Sequence, residues 1–200
     1  MRVFHGSSIS IPNPDLKHSR IDIDFGPGFY LTEDKHMAEK WAVGRKISII
    51  NEYDLNLSGL KVINLGLTRQ WLDFVAYNRG YGDILFDMAD ADAIVGPTAD
   101  DKMFVTISTY LAGFLSAEQA IKYLNVAGFS NQIVLRTEKA LEKLSFIKSK
   151  EISGLQKQRL LDLVKNERYL ASKSLQEMLQ ADKQKRKEVL LINEYPGNDV

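Results

Sequence analysis

No cysteine occurs in the 200-residue chain. Its absence excludes a disulfide framework, a thiolate zinc or iron–sulfur site and a cysteine nucleophile. Histidine is scarce, and of His5, His18 and His36 the last two sit too far apart in sequence to suggest a metal site. No run approaches the ~18 consecutive apolar residues that a membrane span needs. The opening MRVFHGSSISIPNPD lacks the apolar segment of a secretion signal, so the chain reads as soluble and cytoplasmic, with no membrane partner. Net charge is missing too, since 26 Lys+Arg meet 26 Asp+Glu. A zero balance argues against nucleic-acid binding by bulk charge alone. Walker loops, G-x-S-x-G, H-E-x-x-H and EF-hand patterns are all absent.

What is there is ordinary in bulk and uneven in distribution. Hydrophobic residues at 44% and charged residues at 26% suit a globular core, and the length suits one domain with an extension. Residues 1–147 hold 15 Lys+Arg against 18 Asp+Glu, whereas residues 148–200 hold 11 against 8. Short Gly/Pro turn signals fill the first part and almost vanish after Lys150. We therefore expect a domain over 1–148 and a helical extension over 149–200. In that extension Ile152, Leu155, Leu160, Val164, Leu175, Met178 and Leu179 fall at helical spacing. Two helices are expected, jointed near Asn166–Ser172, the second opened by a capping box over Ser174–Glu177. Lys183, Lys185, Arg186 and Lys187 form a short basic cluster, a weak candidate for touching RNA or DNA.

The first part mixes short strand-like and helix-like pieces without regular βαβ spacing, which points to an α+β fold. Strands are expected at Met1–Phe4, Ile47–Leu57, Lys61–Leu65, Asp92–Gly96, Asn131–Arg136 and Ser145–Ile147. Helices are expected over Glu33–Arg45 with Thr32 as N-cap, Thr68–Asn78, Met103–Phe114, Ser116–Leu124 and Glu138–Lys143 with Thr137 as cap. Pro27-Gly28 suits a type II turn with Gly28 at positive φ.

Three segments carry chemistry-bearing patterns. The first is Val3-Phe4-His5-Gly6-Ser7-Ser8. The second is Asp24-Phe25-Gly26-Pro27-Gly28-Phe29-Tyr30-Leu31-Thr32, followed by Ala38-Glu39-Lys40-Trp41-Ala42. The third is Ser130-Asn131-Gln132-Ile133-Val134-Leu135. Taken alone, each also reads as plain structure: a turn after a strand, a helix packed through Met37, Ala38 and Trp41, an edge-strand amide. In this order they resemble the dinucleotide site of the ADP-ribosyltransferases, in the poly(ADP-ribose) polymerase and diphtheria-toxin branch. The chain is also similar to a bacterial family sharing the Asp-Phe-Gly-x-Gly-Phe-Tyr string and a Gly-Pro-x-Ala-Asp-Asp string, here Gly96–Asp101. The resemblance covers roughly residues 1–147.

The resemblance implies a split antiparallel β-sheet core with short helices and NAD as substrate. It assigns NAD binding to His5, Gly6, Ser7, Gly28, Tyr30 and Trp41, and catalysis to His5, Tyr30 and Gln132. Gly6 would offer its backbone to the carboxamide, His5 would bond a ribose hydroxyl, and Tyr30 and Trp41 would enclose the pyridinium. Ala38 replaces a hydroxyl residue of many relatives, and Gln132 replaces a glutamate. Breaking the N-glycosidic bond builds positive charge on the ribose, which a carboxylate stabilises and an amide does not. Asp100, Asp101 and Glu33 are compensating acids to consider, each equally a helix-start residue, and Arg20 is a candidate for the diphosphate. The activity implied is a glycosyltransferase-class mono-ADP-ribosyl transfer to a protein or nucleic-acid acceptor. The implied setting is a bacterial toxin, of a toxin–antitoxin or phage-defence system, with an antitoxin as a protein partner. An NAD/ADP-ribose-binding module or an NAD glycohydrolase is the alternative.

Overall fold

The computed structural model describes residues 1–17, 23–83, 88, 90–99, 103–127 and 129–194, with side chains described for all of these except 126, 127 and 186–194. His18, Arg20, Asp100 and Asp101 lie outside the described residues. Within them the strands are β1 (Arg2–Ser7), β2 (Phe29–Leu31), β3 (Ile49–Leu55), β4 (Val62–Asn64), β5 (Ala93–Pro97), β6 (Asn131–Leu135) and β7 (Leu144–Glu151). The helices are α1 (Lys35–Val43), α2 (Arg69–Asn78), α3 (Phe104–Leu111), α4 (Ala117–Ala127), α5 (Glu138–Leu141) and α6 (Gly154–Glu194). None of the described helices is long and apolar enough to cross a membrane.

Helix starts follow local chemistry where a short polar side chain can reach the orphan N–H groups of the first turn. Thr68 accepts from Trp71 N at 3.3 Å, and Thr137 accepts from Ala140 N at 3.1 Å. Ser116 and Gln119 form the expected reciprocal box, at 3.0 and 3.3 Å. At α1 the cap is Asp34, which accepts from His36 N at 2.9 Å and Met37 N at 3.3 Å. Thr32 is drawn elsewhere: its hydroxyl donates to Asn131 O at 2.9 Å and accepts from Asp34 N at 3.1 Å. The turn before β2 also differs from expectation. Gly26, with φ 73°, closes it through a bond from its N–H to Ile23 O, and Gly28 has φ 157°.

The strands form two sheets, with orders β1-β3-β7 and β2-β6-β5-β4. All pairs are antiparallel except β4–β5, which is parallel because the connection between them crosses over through α2. The α+β class therefore holds, while an entirely antiparallel core does not. The strands of the two sheets are bridged where Phe4 N donates to Thr32 O at 2.8 Å and Thr32 N donates to Phe4 O at 3.0 Å. One face of the four-stranded sheet carries Ile94 and Val134 into a cluster with Phe25, Trp71, Ile107 and Leu124. The other carries Phe29, Leu31, Ile133 and Leu135 into a cluster with Val3 and Tyr53.

The C-terminal extension is one helix, not two. No Gly or Pro interrupts it between Leu155 and Glu194, and the Ser174–Glu177 box lies in its interior. Burial of Leu160 at one end and Leu175 further along holds the intervening residues helical despite Asn166 and Ser172. The boundary expected at 148/149 cuts β7, which pairs with β3 from Leu144 to Glu151.

Candidate functional site

β1 extends to Ser7, so His5 and Gly6 are strand residues rather than a turn. Side chains alternate across a strand, and directly opposed residues share a face. Phe4 lies opposite Thr32, and continuing the β2–β6 register by one residue sets Thr32 beside Gln132, which pairs with Gly96. Phe4, Gly6, Tyr30, Thr32 and Gln132 therefore share one face. His5 takes the other, where its ring stacks on Phe29 at 4.5 Å between centroids.

The two sheets fork beyond the Phe4–Thr32 bridge. Phe4 turns its backbone polar groups toward β2, and by alternation Gly6 does the same, yet no strand pairs with Gly6 on that edge among the described residues. Across the fork His5 Nδ1 donates to Tyr30 O at 2.7 Å, since a carbonyl can only accept. That bond fixes the tautomer and leaves Nε2 with a lone pair. Burial lowers the His5 pKa to about 4, against a raising effect of the Tyr30 bond and with a smaller lowering effect of the Arg45 charge. The ring is thus neutral near pH 7.

The glycines of the motifs are explained by close approach. A Cβ on Gly6 would stand 2.1 Å from Ala38 O and 2.9 Å from Ala42 N, so α1 rests directly on β1 there. Ala38 is fully buried at this contact. Trp41, half-buried on α1, has its Cβ 3.1 Å from the same point. A Cβ on Gly28 would meet Val134 Cγ1 at 2.4 Å, so Gly28 lets β2 lie against β6. The Ser7 hydroxyl is engaged: it donates to Ile9 O and accepts from Asn51 Nδ2 at 2.9 Å.

Tyr30 anchors its own turn. Its hydroxyl donates to Gly26 O at 2.7 Å and accepts from Phe25 N at 3.0 Å. Gln132 is 3% exposed. Its Nε2 reaches Pro97 O at 3.5 Å, the carbonyl that also accepts from Trp71 Nε1 at 3.0 Å. The structure thus places His5 against the Tyr30 backbone and Gly6 under Trp41. Gln132 lies in the row of Thr32 on the Tyr30 face. It does not set the three predicted catalytic side chains on one face; they meet at the fork from two sides.

Sequence reasoning missed several residues that build this site. Asp24 Oδ1 takes Arg79 Nε at 2.9 Å and Nη2 at 2.6 Å, while its Oδ2 accepts from Ala99 N at 3.2 Å. One carboxylate therefore ties the Asp24–Thr32 segment to the Gly96–Ala99 segment. The adjacency of those two strings in one resemblance was the available signal. Buried Asn51 pins the loop after β1, accepting from Ile11 N at 2.8 Å. A groove of about 630 Å³ lies apart from the fork, between α2 and α3, lined by Arg69, Asp73, Tyr81 and Tyr110 among others.

Residues 1–146 match the family described as "Protein of unknown function (DUF3990)". The chain belongs to the DUF3990 family. No curated protein and no solved structure matches it. The DUF3990 match takes in every element of the fork and its supports and ends inside β7, leaving α6 beyond it.

Proposed function

We propose that the chain is an NAD-dependent mono-ADP-ribosyltransferase that releases nicotinamide. The observation that carries this reading is the fork, where His5 bonds the Tyr30 backbone beside a strand edge at Gly6 that no strand pairs among the described residues. A strand edge left without a partner strand pairs with a planar amide as it would with another strand. The nicotinamide carboxamide takes that edge, and the rings of Trp41 and Tyr30 offer aromatic faces to the cationic pyridinium, a contact of about 0.5–2 kcal/mol. His5 Nε2, held neutral, accepts from a ribose hydroxyl. Gln132 bonds the ribose 2′-hydroxyl from the Tyr30 face. The C1′–N bond breaks with its electron pair leaving on nicotinamide, and an acceptor heteroatom attacks C1′ and gives its proton to solvent. Positioning supplies the catalysis here, because Gln132 adds no charge. Polymer elongation, which needs a second hydroxyl activated, is not part of the reading.

The uncharged, buried Gln132 favours a second reading, in which the domain binds NAD or ADP-ribose and hydrolyses it slowly or not at all. The broader role that fits the first reading is a bacterial toxin acting on a protein or nucleic-acid acceptor and restrained by an antitoxin. Labelled NAD incubated with the protein and a bacterial lysate separates these. Label on a macromolecule supports transfer, and free ADP-ribose supports hydrolysis. Saturable binding without product supports the binding module, and no NAD binding overturns the whole reading. Tyr30→Ala should abolish binding, and Gln132→Glu should raise nicotinamide release.

A further inference from the structure

The groove between α2 and α3 takes no part in the function proposed above. α2 contributes Arg69, Asp73 and Ala76, which share one face at helical spacing. At the end of α2 the chain turns back, with Gly80 N donating to Tyr77 O at 2.9 Å and Tyr81 N donating to Ala76 O at 2.9 Å. Gly80 and Gly82 make this turn at φ 82° and 70°, a region that L side chains rarely adopt. The turn leaves Tyr81 52% exposed and brings Asp83 to the groove. The end of α3 supplies Tyr110 and Leu111. A Cβ on Gly82 or Gly113 would meet nothing within 4 Å, so both lining turns stand beside open space. The volume, about 630 Å³, is that of a ligand site.

The charges there are unbalanced. Arg69 Nε lies 2.8 and 2.9 Å from the two Asp73 carboxylate oxygens, so its charge is already matched. Asp73, and more weakly Tyr110 and Glu118, hold that guanidinium above its ordinary range. Asp83 is exposed, and its carboxylate has no ion pair or hydrogen bond among the described residues. One cation therefore stands among three carboxylates, those of Asp73, Asp83 and Glu118. Tyr81 and Tyr110 add two phenol rings, and neither hydroxyl has a hydrogen-bond partner among the described residues. Burial, helped by the Asp73 charge, raises the Tyr110 pKa, so its phenol is neutral. An anionic ligand meets a surplus of negative charge here. A cation gains from the carboxylates and from the aromatic faces together.

We propose that this groove binds an arginine side chain of a partner protein, its guanidinium bonded to Asp83 and stacked on Tyr81. Charge complementarity selects a cation. Geometry selects guanidinium over ammonium, because a planar group lies flat on a phenol ring while its N–H fork meets a carboxylate. Leu111 offers apolar surface to the aliphatic stem. The site goes beyond the NAD reading and does not depend on it.

The test titrates the full chain, without NAD, with three blocked tripeptides that carry arginine, lysine or glutamine between two glycines, and with AMP as an anionic probe. Backbone amide shifts of Gly82 and Gly113 report the groove. The arginine peptide should move both saturably, with a Kd of roughly millimolar order for a single side chain. The lysine peptide should bind more weakly, and the glutamine peptide and AMP should leave both amides still. Asp83→Asn and Tyr81→Ala, both at exposed positions, should each weaken the arginine peptide about two- to fivefold. Either variant serves if the other disturbs amides outside the groove. Equal shifts with the glutamine peptide, equal affinity for lysine, binding of AMP instead of arginine, or arginine binding unchanged in the variants each overturn the proposal. NAD is titrated separately on the same chain. Arginine binding without NAD binding leaves this site standing and overturns the NAD reading, and NAD binding without arginine binding does the reverse.

Discussion

His5 keeps its proton on Nδ1, and this has a pH signature. The native pKa is about 4, against an ordinary value of 6.5 for histidine. Between those values the unfolded chain binds a proton that the native state refuses, so stability rises with pH and is lost on acidification. The loss should reach about 2 kcal/mol by pH 5 relative to pH 7. Urea unfolding at the two pH values measures it, and His5→Gln should flatten the difference. Tyr30 makes a separate prediction. Tyr30→Phe strands Phe25 N and Gly26 O, and should cost about 1–3 kcal/mol in the same experiment. Gly6→Ala forces α1 away from β1 and should cost at least about 1–3 kcal/mol, with loss of any nicotinamide release. The His-Gly pair was legible from its motif. That Gly6 also serves α1 was not, because the contact joins residues over thirty positions apart.

Elements divide by whether their signals are local. Caps at Ser116 and Thr137 were readable because the bonding groups lie within three residues of one another, whereas Thr68, expected inside its helix, caps it instead. Ser116→Ala should therefore cost about 1 kcal/mol, measured by thermal or urea unfolding. Thr32 is not the α1 cap because its hydroxyl, aimed by donation to Asn131 O, accepts from Asp34 N, and the Asp34 carboxylate takes the first-turn N–H groups. The joint expected near Asn166–Ser172 failed for the same kind of reason: docking at both ends outweighs weak intrinsic propensity. Asp24 shows how elements are tied across the fold. Asp24→Ala leaves the Arg79 guanidinium without its carboxylate, and should cost roughly 3 kcal/mol. Differential scanning calorimetry reads that loss directly.

At the scale of the molecule, the zero net charge is composed of a slightly acidic family domain and a basic helix packed on α1, α3 and α4. Salt should act unequally on the ion pairs that join α6 to α4 and to α1, since screening is strong for exposed pairs and weak for desolvated ones. Lys122 is 60% exposed in its pair with Asp182, whereas Lys40 is nearly enclosed in its pair with Glu167. Raising salt to 1 M should speed hydrogen exchange in α4 and the adjoining turns of α6 while leaving α1 almost unchanged. Equal acceleration at both ends would contradict this assignment of the two ion pairs.

The sequence by itself determined the α+β class and the caps at Ser116 and Thr137, because hydrophobic periodicity, turn residues and capping act over a few positions. Only the tertiary structure decided that the two sheets are bridged at Phe4 and Thr32 and fork at Gly6. It alone put His5 on the opposite face from Tyr30 and Gln132, tied two motifs through Asp24, and turned the C-terminal extension into one helix. Each of those outcomes is a contact between residues tens of positions apart, set by strand register and packing.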